Sequence, residues 1–106
     1  MVSAVDYLRG DFMATLYLVV KGEFFHKIEA REKPEEYRLY NEYWRKRIEG
    51  KTFDTLVITL GYPSGDDESR IIRRKWEGYI VKTITHPHFG NEPVKVFAIS
   101  TEGREV

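Results

Sequence analysis

The chain contains no cysteine. Disulfides and thiolate metal sites are therefore excluded, and sulfur redox chemistry is confined to methionine. It has no long apolar run either. Leu16 to Val20 is the longest stretch of consequence, far short of the ~20 residues that span a bilayer. The opening residues carry Asp6, Arg9 and Asp11 with no apolar core between them, which argues against a signal peptide. An excess of one charge is missing too: 17 Lys and Arg balance 17 Asp and Glu. Attraction of the whole surface to nucleic acid is therefore not expected, although charge can still be segregated locally. These absences predict a soluble, cytoplasmic protein with no membrane contact. With 106 residues the chain is long enough for a single core, and it shows no linker, repeat or low-complexity tract.

Some catalytic and metal patterns are also lacking. The Gly61-Tyr62-Pro63-Ser64-Gly65 loop is not closed by Gly-Lys-Ser/Thr, so it is no phosphate loop. Ser64 has no G-x-S-x-G context. His86 and His88, with Asp66-Asp67-Glu68, offer ligand types to a metal, but spacing fixes no third ligand beside the histidines. Neither a metal nor a cofactor is expected.

What is present is dense in charge and rings. Glu32-Lys33-Pro34-Glu35-Glu36-Tyr37-Arg38-Leu39-Tyr40 leads into Asn41-Glu42-Tyr43-Trp44-Arg45-Lys46-Arg47. Pro34 turns Lys33 away from helical geometry, so an upstream helix stops near Lys33. With residues 35–40 as a strand, Glu35, Tyr37 and Leu39 share one face, the expected core side. Glu36, Arg38 and Tyr40 share the other. That second face, with Lys33 just before it, is the best candidate for a site. The competing reading is a solvated strand face with an internal ion pair, which is worth little.

Around this stretch the chain reads in order. Residues 1–13 show no period and form an irregular lead-in, and 14–106 form one domain. Thr15 to Val20 reads as a strand buried on both faces. Glu23 to Glu32 reads as a helix with Phe24, Phe25 and Ile28 in the core and His26 on its flank. Asn41 is a plausible N-cap and Gly50 a C-terminal stop for a helix over 42–49. Further strands are expected over 54–60, 77–85 and 94–101, the last two paired antiparallel through the His86–Pro93 turn. Arg70 to Lys75 reads as a basic cluster leading to Trp76. The expected class is α+β: a small, curved β-barrel of five or six mostly antiparallel strands with two short helices.

Lys33-Pro34-Glu35-Glu36-Tyr37-Arg38 resembles the K-x-x-E-x-R core of the ASCH domain, a branch of the PUA-like β-barrel superfamily. The order of elements is similar as well, over roughly residues 14 to 101. The motif usually has a glycine two residues before the lysine. Arg31 stands there, so a different helix-to-strand turn is expected. The resemblance implies a cleft beside the motif that binds RNA, single-stranded nucleic acid or a single nucleotide, including one with a modified base. It also implies an alternative, an enzyme on the same ligand: a 4-acetylcytidine amidohydrolase or a ribonuclease, with Lys33 and Glu36 as the catalytic pair. In the amidohydrolase-like branch a threonine nucleophile stands where this chain has Glu36. Opposite charges stabilise each other's ionised forms, which counts against a neutral, basic Lys33.

The binding reading also has a basis in the residues themselves. Arg38, Arg45, Lys46, Arg47 and Lys51 gather around the motif, and Arg70, Arg73, Arg74, Lys75 and Lys82 form a second basic group. Interleaved Tyr40, Tyr43, Trp44, Tyr62 and Trp76 offer rings on which bases stack. For the tryptophans the alternative is core packing, and for Arg45 to Arg47 a solvated helix face. The expected ligand-binding set is Lys33, Glu36, Arg38, Tyr40, Trp44, Arg45, Tyr62 and His86. A third class, a protein-interaction adaptor, would use the exposed aromatics instead.

Overall fold

The computed structural model describes residues 14–63 and 67–106. The expected lead-in over 1–13, and Ser64 with Asp66, lie outside the described residues. Alternation of apolar and polar residues, broken by Gly and Pro, gives six strands and two helices among the described residues. In order they are β1 (Thr15–Val20), α1 (Gly22–Glu29), β2 (Glu35–Leu39), α2 (Glu42–Ile48), β3 (Thr55–Leu60), β4 (Ile71–Lys75), β5 (Tyr79–Ile84) and β6 (Val94–Ser100). No described helix is long and apolar enough to cross a membrane.

The strands form two three-stranded sheets, ordered β1-β3-β4 and β2-β6-β5. β1 runs parallel to β3, and the other three pairings are antiparallel, including β5 with β6. The expected barrel is absent, because the sheets are separate and open. Closure needs a continuous ring of strand pairing. Among the described residues, no backbone ladder joins β1 to β2. The Arg38 guanidinium reaches the Val19 carbonyl instead, at 2.8 Å. The ASCH and PUA-like assignment, which required a barrel, is overturned by this topology.

One core fills the space between the sheets. Leu16, Leu18 and Val20 from β1, Phe25 and Ile28 from α1, Leu56 and Ile58 from β3, and Phe97 and Ile99 from β6 are all buried in it. β1 was expected to be buried on both faces, yet Tyr17 and Val19 are exposed. Only its inner face packs on the core, while Tyr17 and Val19 border a cleft.

α1 ends sooner than the expected Glu32. The Glu32 amide donates to the Lys27 carbonyl and the Arg31 amide to that of Ile28, a Schellman closure with Arg31 left-handed at φ 61°. Arg31 thus takes the left-handed backbone conformation that favours glycine. α2 begins as expected: the Trp44 amide donates to Asn41 Oδ1 at 2.9 Å. Gly50, at φ 73°, follows its end.

β4 was not expected. Its alternation buries Ile72 and Arg74, and Arg74 is only 2% exposed. The cost of burying a guanidinium is met by Glu105 at 2.7 Å and the Thr101 carbonyl at 2.7 Å. Both partners lie in the 101–106 segment, which leaves β6 in one sheet and bridges to β4 in the other at Arg74 and Glu105. Gly103 permits this crossing, since a Cβ there would stand 2.0 Å from the Lys75 carbonyl oxygen.

Candidate functional site

The motif strand β2 lies beside β6 with Glu36 opposite Ile99 and Arg38 opposite Phe97. Opposed residues in an antiparallel pair share a face, so the charged pair sits on the core face. The expectation that Tyr37 and Leu39 face the core is reversed: Leu39 is 38% exposed and Glu36 only 6%. Apolarity misled here, because the buried face of β2 is polar and internally neutralised.

Glu36 is the centre of that neutralisation. Arg38 Nη1 donates to Glu36 Oε2 and, at 2.8 Å, to the Tyr37 carbonyl. The Lys33 ammonium lies 3.4 Å from Glu36 Oε1 and donates to the Glu35 carbonyl at 2.6 Å. It also stands over the Tyr37 ring at 4.7 Å and the Phe24 ring at 5.4 Å. A carboxylate removed from water needs such partners, since an unpaired buried charge is costly.

On the opposite face of β2 a second group steadies the motif. The Lys82 ammonium donates to Glu35 Oε1 at 2.7 Å, and the Tyr37 hydroxyl donates to the same oxygen at 3.1 Å. The Lys82 bond is the main force holding the Glu35 carboxyl below its usual range, against the opposing effect of burial. Burial first, and the Glu35 bond second, push the Tyr37 phenol up. Glu35 in turn raises Lys82.

Above the charged row a cleft of about 840 Å³ opens, walled by β1, β2, α2, the Gly61–Tyr62 turn and the 86–89 turn. Of the expected ligand-binding residues, Lys33, Glu36, Arg38, Trp44, Tyr62 and His86 line it. Tyr40 and Arg45 do not. The Tyr40 ring packs on Phe97 at 5.0 Å between Arg45 and Lys95, and its hydroxyl donates to Glu49. That bond raises the Tyr40 phenol and, together with Arg45, lowers Glu49. These residues form a structural cluster away from the cleft.

Among the described residues, the charged lining is Lys21, Lys33, Arg38, Arg47 and Arg70 against one carboxylate, Glu36. The two expected basic groups do not survive as patches. Arg73 pairs with Glu68, Arg74 with Glu105, Lys82 with Glu35, Arg45 with Glu49, and Lys46 with Glu42. Arg70 lines the cleft while its guanidinium holds the Leu60 carbonyl at 2.7 Å. Arg47 lies on the Tyr43 ring at 3.5 Å. Trp44 borders the cleft with the Arg38 guanidinium 5.2 Å from its ring. Trp76 instead packs on Phe53 at 5.0 Å, against the core.

Phe24, His88 and Phe89 line the cleft without having been expected there. Phe24, expected in the core with Phe25, does pack against the core and lines the cleft as well. Adjacent helical residues point about 100° apart, so only one of the two can face the centre of a narrow apolar stripe. That signal was present in the sequence. Nothing local revealed that the 86–89 turn folds back toward α1. Among the described residues, no group of three metal-ligating side chains comes together.

Comparison of the chain with protein-family models, curated proteins and solved structures returns no match.

Proposed function

We propose that the cleft binds single-stranded RNA or a nucleotide. The observation that carries this reading is the charge of the lining. The chain as a whole is neutral, yet its cleft gathers five cations and one carboxylate. A concave, low-dielectric wall of one sign focuses its field on an anion. Rings interleaved with the cations suit a ligand that joins phosphate to a flat base.

The division of labour differs from a simple arginine clamp. Arg38 is committed to Glu36, Tyr37 and Val19, and Lys33 to Glu35 and Glu36. They shape and charge the wall. Arg47 and Lys21 are exposed and better able to follow a phosphate. Exposed Tyr62 and Tyr17 offer ring faces at the rim.

A second observation counts against the deacylase alternative, which uses a hydroxyl nucleophile. No serine, threonine or cysteine lines the cleft among the described residues.

The test uses two neighbours on α2. Arg47 lines the cleft, whereas Lys46 pairs with Glu42 and does not. Titration calorimetry with a short single-stranded RNA at low and high salt should show Arg47→Ala weakening binding. It should also flatten the log K against log salt slope by about 0.7, the loss of one phosphate contact. Lys46→Ala should match wild type. Equal losses in both variants would place the ligand on the helix surface and defeat the cleft reading.

A further inference from the structure

At one end of the cleft five aromatic side chains form a series, edge to face at three contacts and tilted at the fourth, His86 with Phe89. Phe24 stands 5.8 Å from His88, His88 5.1 Å from Phe89, Phe89 6.2 Å from His86, and His86 6.0 Å from Tyr37. The Lys33 ammonium closes the series by lying over both terminal rings, Tyr37 and Phe24. All six residues line the cleft. Arg47 and Arg70 are engaged elsewhere, Arg47 with Tyr43 and Arg70 with the Leu60 carbonyl, while Arg38 stands between, bonded to Glu36 and against Trp44. The cleft is thus chemically two-ended.

We propose that the ring-lined end takes a single nucleobase, inserted end-on, with the phosphate left toward Arg47. This rests on the nucleic-acid reading above and assigns the two halves of that ligand to the two ends. Ring faces carry negative potential and do not attract a phosphate. They do accommodate another flat heteroaromatic ring, and the polar groups among them match a base edge. A carboxylate has about four acceptor sites, and Glu36 has two partners, Arg38 and Lys33. An ammonium has three donors, and Lys33 places two of them on Glu35 and Glu36. His86 Nδ1 accepts from the His88 amide at 3.1 Å, which leaves Nε2–H as the donor of the neutral ring. Every nucleobase carries an N–H donor next to an acceptor, so the site reads the class of base through Glu36 and Lys33.

The experiment uses the whole chain and three probes: a short single-stranded RNA, the four ordinary nucleosides, and inorganic phosphate. Nucleosides should compete with the RNA and shift the amide resonances of Phe24, His88 and Phe89. Phosphate should shift those of Tyr43 and Arg47. Phe89→Ala and the exposed His88→Ala should each weaken nucleoside binding about tenfold, the effect of losing a stacked ring. Both should leave the phosphate shifts at wild-type size, a readout that also reports that the fold is intact. RNA binding without nucleoside competition overturns the end-on base and leaves the broader reading standing. Nucleoside shifts centred on Tyr43 and Arg47 also overturn it. Failure of RNA and nucleosides alike overturns both.

Discussion

At Arg31 two opposing effects meet in one residue. Its backbone is left-handed, which costs a residue with a Cβ about 1 kcal/mol relative to glycine. Its guanidinium donates to the Glu102 and Gly103 carbonyls and lies 3.5 Å from Glu105. Comparing Arg31→Gly with Arg31→Ala separates the two, since both lose the guanidinium and only alanine keeps the strain. The alanine variant should be less stable than the glycine variant by about 1 kcal/mol in urea unfolding. Equal stabilities would mean the turn relaxes. Arg38 raises a different question, whether it serves ligand or fold. The Glu36 and Arg38 side chains are only 7% and 15% exposed. Arg38→Ala removes the nearer cation of a buried carboxylate and should cost about 3 kcal/mol of stability. Adding Glu36→Gln should recover part of that loss, because the carboxylate is then no longer short of a cation, while Lys33 keeps the Glu35 carbonyl. A double variant no more stable than the single would show that Lys33 already suffices for Glu36.

At the scale of elements, β2 is clamped to β5 across β6 by Glu35 and Lys82, and the pair sets a pH dependence. The folded Glu35 carboxyl lies below its ordinary value near 4.5. As pH falls below that value, the unfolded chain takes up this proton first, and the stability held above it is lost through the lowered folded value. Lys82 and Tyr37 are raised, from ordinary values near 10.5 and 10.0. Their contribution is complete below those values and is lost as pH rises through the folded ones. Glu35→Gln should flatten both limbs in melts run across pH; an unchanged acid limb would assign it to Glu49 and Glu68, also lowered. β1, β2, β3, β5 and β6 and the Asn41 cap were legible in the sequence from strand composition, alternation or a local cap, whereas α1 ends at Glu29 and not at the expected Glu32. β4 was not. Its Ile-Ile-Arg-Arg-Lys run looks like a solvated basic cluster until Glu105, 31 residues from Arg74, is brought against it. The face of β2 was misread for the same reason, since Glu36 is buried only because Lys33 and Arg38 converge on it. Six of the eight expected ligand-binding residues line the cleft, because the motif's charge density marked it. Tyr40 and Arg45 lie elsewhere: Tyr40 keeps to the core face but packs on Phe97, with Arg45 and Lys95 against its ring.

For the whole molecule, the decisive feature is that two open sheets share a core and are tied by the 101–106 segment on one side. Gly103 sits where that tie crosses Lys75, so Gly103→Ala must push the segment off β4. The loss should exceed about 2 kcal/mol, because the Arg74 guanidinium would lose its partners with it. A urea midpoint close to wild type would show the crossing to be slack. The placement of the two tryptophans has an optical consequence. Trp76 is wedged between Phe53 and Tyr79, and Trp44 borders the cleft beside Arg38. One indole therefore reports on the integrity of the core and the other on occupancy of the cleft. In a Trp76→Phe variant the remaining emission comes from Trp44 alone, and a bound base should quench it without any unfolding. In Trp44→Phe the emission should ignore ligand and change only when the sheets come apart. The chain thus carries a separate fluorescent gauge for each of its two properties, with no dye attached.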